Sequence, residues 1–460
     1  MRLHSQQTFA AIVLACAFVP AAMAQSGRYG PGRTWWDAGQ GGYLPWDESY
    51  ENPDGQVTVV NKRGSVQTKD HPFFEPLGTN GRACVTCHQP ANAMSISAAL
   101  LRQRWIETGG RDPVFAAIDG SDCPDRPQNL AASHSLLIER GLVRIALPWP
   151  PRNRPEFRIE VIDDPAGCNT SAVYGLRAQH PFISVYRRPR VAANLDQIIA
   201  GPEGVRFMTD GREATLESQA TSAIQIHEQA KMAPTTEQLR RIVEFETQLF
   251  AAQGSDVRGG LLDEPGGPLM LGPANLASGK AGGLAAAPDR MSLQFDPWRK
   301  PDGAPDLGLQ LEFRASVARG SDLFFGRRFQ YRGETVTCAV CHAAGITRWM
   351  DIGTTAAAAA KDRTGLPVFR ITCDASAQPH PVFGRVVYTH DPGRALISGK
   401  CAEVGSIVLG QIRGLAARAP YFSNGSAPTL ADLIEFYDRR FAIGYTAREK
   451  QDLENFLRVL

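Results

Sequence analysis

The chain carries almost no excess charge: 49 Lys and Arg stand against 47 Asp and Glu, and no long basic run occurs. That argues against nucleic acid as a partner and against strong attraction to an anionic membrane surface. Beyond the first residues there is no apolar run of the ~20 residues that a bilayer-spanning helix needs, so stable membrane insertion is not expected. Period-two alternation of the kind that marks strands is sparse. Histidine and cysteine are scarce, at nine each, so their positions carry information.

What is present begins with Arg2, an apolar run from Phe9 to Pro20 and the small-residue pattern Ala22-Met23-Ala24. This reads as a signal peptide over residues 1–24, cleaved on export, and predicts a periplasmic protein. Without Cys16, eight cysteines remain. Four lie in two Cys-x-x-Cys-His runs, and the others, Cys123, Cys168, Cys373 and Cys401, suit two disulfides in an oxidising compartment. Chain proximity favours pairing Cys123 with Cys168 and Cys373 with Cys401 among the three possible pairings.

The two runs are Cys84-Val85-Thr86-Cys87-His88 and Cys338-Ala339-Val340-Cys341-His342. Thiols three residues apart can reach the two vinyl groups of one porphyrin, and the following imidazole then faces the iron. The spacing therefore points to two covalently bound haem c groups, with thioethers at Cys84, Cys87, Cys338 and Cys341 and proximal ligands His88 and His342. A zinc knuckle or a thioredoxin-like pair fits less well, because no second ligand pair at zinc-finger spacing follows either run.

Apolar spacing and the Thr235/Gln238 capping box predict a helix over 234–253. Thr429 and the Thr446/Glu449 box start two more near the end. The expected fold class is mainly α, two cytochrome c-like helical haem domains with long loops. The divisions are an irregular arm at 25–70, an N-terminal haem domain at 71–260, a Gly/Pro-rich linker at 261–310 and a C-terminal haem domain at 311–460.

Three further stretches, RRPRVAANL from Arg187, MTDGREATLESQA from Met208 and the segment Leu409–Leu460, resemble the bacterial di-haem cytochrome c peroxidase and MauG family. The resemblance implies an oxidoreductase using hydrogen peroxide or dioxygen at the N-terminal haem, with the C-terminal haem as electron reservoir. It also implies a redox protein or organic electron donor as partner, and a homodimer. Gln219 matches the family's pocket Gln, Gln229 stands at its catalytic Glu, and His227 and Glu228 are beside it as substitute acids or bases. Tyr437 occupies the place of the sixth ligand of the C-terminal haem, and Thr209 that of the bridging Trp. Asn194, Arg418 and Pro420 match the family's calcium ligands. His134 and His180 are further candidates for the distal side of the N-terminal iron. The alternative reading is a non-enzymatic di-haem electron-transfer cytochrome.

Overall fold

The computed structural model describes residues 34–199, 206–279, 291–300, 308–331, 333–342, 349–351 and 365–460. The signal peptide expected at 1–24 and part of the expected linker lie outside them.

The architecture is mixed α/β, which corrects the expectation of a mainly α molecule. Six small sheets run through the described residues, the largest with four strands and another with three. The strands escaped the sequence reading for a physical reason. Segments such as GQVTVVN (Gly55–Asn61) and FISVYR (Phe182–Arg187) are buried on both faces over most of their length, so the polar half of the alternation is missing.

The stretch expected to be an irregular arm instead supplies the strands Asp47–Asn52 and Gly55–Asn61, which pair antiparallel. Gly55–Asn61 then pairs with Leu249–Asp256. That second pairing revises the predicted 234–253 helix: the helix spans Thr236–Gln248, capped by Thr235 as read, and the chain turns directly into strand at Leu249. A short apolar run such as Leu249-Phe250-Ala251-Ala252 suits either element, and here the partner strand decides. Helices Leu430–Phe441 and Ala447–Arg458 follow their predicted caps at Thr429 and Thr446.

In the three-stranded sheet, Val368–Cys373 lies between Phe157–Asp163 and Val386–Thr389. It thereby ties the region after the first Cys-x-x-Cys-His run to the region after the second. The disulfides Cys123–Cys168 and Cys373–Cys401 are both formed, as chain proximity suggested.

Two aromatic clusters flank the two motif runs. Phe73, Phe74 and Phe245 meet with ring centroids 4.7 to 5.3 Å apart, and Phe73 lies 6.4 Å from the His88 ring. Phe324 and Phe325 gather on Phe456, and Phe324 lies 6.2 Å from the His342 ring. Helix Leu309–Gly326 packs along Ala447–Arg458, where Gly320 lets the backbones come close and Ser316 donates to Asp452 over 2.6 Å. Large buried rings on both sides give each run a stiff backing.

Candidate functional site

Both Cys-x-x-Cys-His runs open on a single cavity of about 420 Å³, a volume that suits an organic ligand. Its wall includes Cys84, Cys87 and His88 from the first run and Cys338, Cys341 and His342 from the second. All four cysteines stand outside the disulfides.

Each run is a single helical turn, Cys84–Cys87 and Cys338–His342. The first is fixed by Thr86, whose hydroxyl accepts from Ala83 N, and by the buried Gln89, whose amide donates to Val85 O and Trp36 O. His88 Nδ1 lies 3.1 Å from Met94 O, to which it donates. Burial lowers the His88 pKa, and it lowers that of His342 to about 4, so both rings are neutral near pH 7.

The thiols of Cys84, Cys87 and Cys338 are protonated for the same reason. Burial, reinforced by the charges of Glu228 and Glu246, pushes the Cys84 thiol well above the usual range. Burial raises Cys87 to about 11 and Cys338 to about 12.

Near Cys84 and Cys87 the wall carries two carboxyl groups, Glu228, named from the sequence, and Glu246, which sequence reasoning missed. Glu228 accepts from Leu77 N over 3.0 Å and lies 3.6 Å from Cys84 Sγ. Its carboxyl is raised by burial to about 7. Glu246 is 5% exposed, its Oε2 has no hydrogen-bond partner, and burial raises it to about 8. Glu246 was legible in principle: it shares the apolar face of its helix with Leu239 and Ile242, at a spacing where a carboxylate is costly.

The candidates drawn from the resemblance meet different fates. Gln219 and His227 line the cavity. His227 bonds Asp119 Oδ2 through Nδ1 at 2.7 Å. Helix Leu216–His227 stops there, and Gln229 follows with φ +58°, away from the cavity lining, its carbonyl accepting from Thr79. Glu228, between His227 and Gln229, lines the cavity. Tyr437 lines the cavity with its ring 6.2 Å from that of His342, and burial raises its phenol. His134 is buried with both ring nitrogens on backbone carbonyls, those of Gly120 and Gln128, and His180 is exposed.

The calcium expectation is corrected by the bonds those residues already make. Asn194 Oδ1 accepts from Ala251 N, and the Arg418 carbonyl accepts from Arg188. Arg188, Arg190, Arg413 and Arg418 also surround this part of the wall, the wrong charge for a cation site.

The wider expectation is corrected as well. The readings as a periplasmic di-haem c peroxidase or oxidase, or as a di-haem electron-transfer cytochrome, were tied to paired helical haem domains. The chain is instead a mixed α/β body. Among the described residues, no group of three or more His, Cys, Asp or Glu is placed to hold a metal ion.

Among the described residues no helix is long and apolar enough to cross a membrane. Neither a scan of protein-family models nor a search of curated proteins finds a match to this chain.

Proposed function

We propose that the chain is a ligand-binding protein of an oxidising, extracytoplasmic compartment, enclosing a large apolar ligand in its central cavity. The thiols of Cys84, Cys87, Cys338 and Cys341 are the positions at which the ligand is tied to the protein, each S–H adding across a carbon–carbon double bond of the ligand so that sulfur bonds one carbon and the proton goes to the other. One observation carries this reading: two separate Cys-x-x-Cys-His turns open on the same 420 Å³ cavity, with their thiols outside any disulfide. The two disulfides elsewhere in the chain support the compartment, as does the leader-like N-terminal sequence.

Shared ancestry with the di-haem peroxidase and MauG family is proposed only for the parts that form the cavity. Residues from all three resembling stretches, among them Val191, Met208 and Tyr421, lie in the wall. A common cavity built from the same segments is what descent with a changed surround leaves behind.

Intact-mass measurement of the purified full chain, followed by peptide mapping after thiol alkylation, tests the reading. The expected result is an added mass on the peptides holding Cys84/Cys87 and Cys338/Cys341, while the peptides of the other four cysteines appear as disulfides. Four fully alkylatable thiols, with no organic molecule released on denaturation, would overturn it.

A further inference from the structure

Helix Leu216–His227 ends on Glu228, and this residue is fixed more firmly than a helix terminus requires. It is 3% exposed. The loop before the first thiol turn grips it at both ends: Leu77 N donates to its Oε2 at 3.0 Å, and Thr79 N donates to its carbonyl at 3.0 Å. Gly78 lies between these two bonds. A Cβ there would sit 1.7 Å from the Glu228 carbonyl oxygen, so the loop can close on the residue only with glycine at that position.

This grip holds the carboxyl against the first thiol turn. Cys84 Sγ donates to Glu228 Oε1 at 3.6 Å, a reach that suits the larger sulfur atom. Cys87, the other thiol of the turn, bonds no carboxyl among the described residues; burial and the charges of Arg82, Asp119, Asp112 and Glu228 set its surroundings. One turn therefore presents two thiols to the same cavity, the first with a proton acceptor in contact and the second without.

The charged groups around this pair are few. Burial raises the Glu228 carboxyl to about 7, against the opposing pull of the bonds from Leu77 and Cys84 and of the Arg82 charge. Glu246, from helix Thr236–Gln248, acts together with Glu228 on Cys84. The neighbouring His227 is taken up by Asp119 at 2.7 Å. Near pH 7 the Glu228 carboxyl is thus poised between its two forms, while burial keeps the Cys84 thiol protonated. A buried thiol is a poor nucleophile by itself, since the thiolate is the reactive form. A base in contact with it, taking the proton as the new bond forms, removes that obstacle.

We infer that Glu228, held by the Leu77–Thr79 loop against Cys84, is the general base by which the chain attaches its own ligand at Cys84 ahead of Cys87. This rests on the cavity reading above and gives the attachment an agent and an order. In the step, the Cys84 sulfur bonds one carbon of the ligand's double bond while Glu228 Oε1 takes the S–H proton. The π electron pair moves to the second carbon, which takes that proton back from the carboxyl. The carboxylate is restored, the product is a thioether, and no oxidant or reductant is consumed. With the ligand held at Cys84, the second thiol then meets its own double bond at close quarters.

4-Vinylpyridine, a small ring bearing one carbon–carbon double bond, tests the inference on full-length chain whose intact mass shows no thiol adduct and whose turn thiols are reduced. Tandem mass spectrometry of the turn peptide follows alkylation at Cys84 and Cys87 separately between pH 6 and 9. Cys84 should react faster than Cys87 near neutral pH, with a rate that rises with the Glu228 carboxylate and levels off above about pH 7. The Cys87 rate should instead climb about tenfold per pH unit with its thiolate. Glu228→Gln keeps an acceptor for Leu77 N but cannot take a proton, and should slow Cys84 roughly a hundredfold with Cys87 unchanged. An unchanged Cys87 rate shows that the turn and the cavity persist in the variant. The sign separates base from bystander: if Glu228 only repelled the thiolate, the neutral amide would let Cys84 ionise more easily and react faster. A Cys84 rate that rises or stays the same in Glu228→Gln, or a fall shared equally by Cys87, overturns the general-base role and leaves the cavity reading standing. Four thiols alkylated as fast as in the urea-unfolded chain overturn both, because none is then enclosed.

Discussion

Replacing Glu246 by Gln should stabilise the protein in a strongly pH-dependent way. Glu246 sits on helix Thr236–Gln248 with 5% exposure and no hydrogen-bond partner for Oε2. Burial raises its pKa from 4.5 to about 8. The direction of the linkage follows. Below about pH 4.5 the carboxyl is protonated in folded and unfolded chains alike, and its burial carries no ionisation penalty. Between about pH 4.5 and 8 the unfolded chain releases the proton while the folded chain keeps it, so stability falls as pH rises, by about 1.4 kcal/mol per unit. Above pH 8 the penalty is complete, at most about 5 kcal/mol. Gln preserves the shape and does not titrate. The stability difference between Glu246→Gln and the parent should therefore be smallest near pH 4.5 and grow steadily to pH 8. Urea unfolding at pH 5, 6.5 and 8 reads this difference directly. Parallel pH profiles for the two proteins, or a variant that is the weaker one at pH 8, would refute the argument that Glu246 is buried without compensation.

Two further outcomes follow from the packing. Asp210 is fully buried between Arg187 and Arg212, at 2.6 and 2.7 Å; burial alone would raise its pKa, but the two guanidiniums hold it below the usual range. Asp210→Asn should cost about 3 kcal/mol, read as a lowered urea midpoint, because Arg187 loses one of its two counter-charges. Gly320 faces the second helix so closely that an added Cβ would lie 2.1 Å from Asp452 O. Gly320→Ala should therefore lower the thermal midpoint, although alanine favours helix. A neutral or stabilising result would mean that helices Leu309–Gly326 and Ala447–Arg458 sit farther apart than described.

Local features were legible where the chemistry is local. The capping residues Thr235, Thr429 and Thr446 mark helix starts because a side-chain oxygen satisfies an amide three residues on, and this needs no distant partner. The disulfide pairs followed from proximity along the chain. Strands were not legible, since Leu249–Asp256 becomes a strand only because Gly55–Asn61, almost 190 residues away, offers its open edge. The polar wall of the site shows the same division. Gln219 and His227 were named from the sequence and reach the cavity, whereas Gln229 turns away at a left-handed residue that ends the helix.

The sequence by itself determined the two thiol-imidazole turns, the cysteines left for disulfides and the near-neutral charge. Each of these depends on residue identity and short spacing alone. The tertiary structure decided that both turns share one cavity and that Glu228 and Glu246 stand beside Cys84. Those facts depend on which groups are brought together and which are kept from water. The energy of a charge is set by its surroundings, and the sequence does not place them.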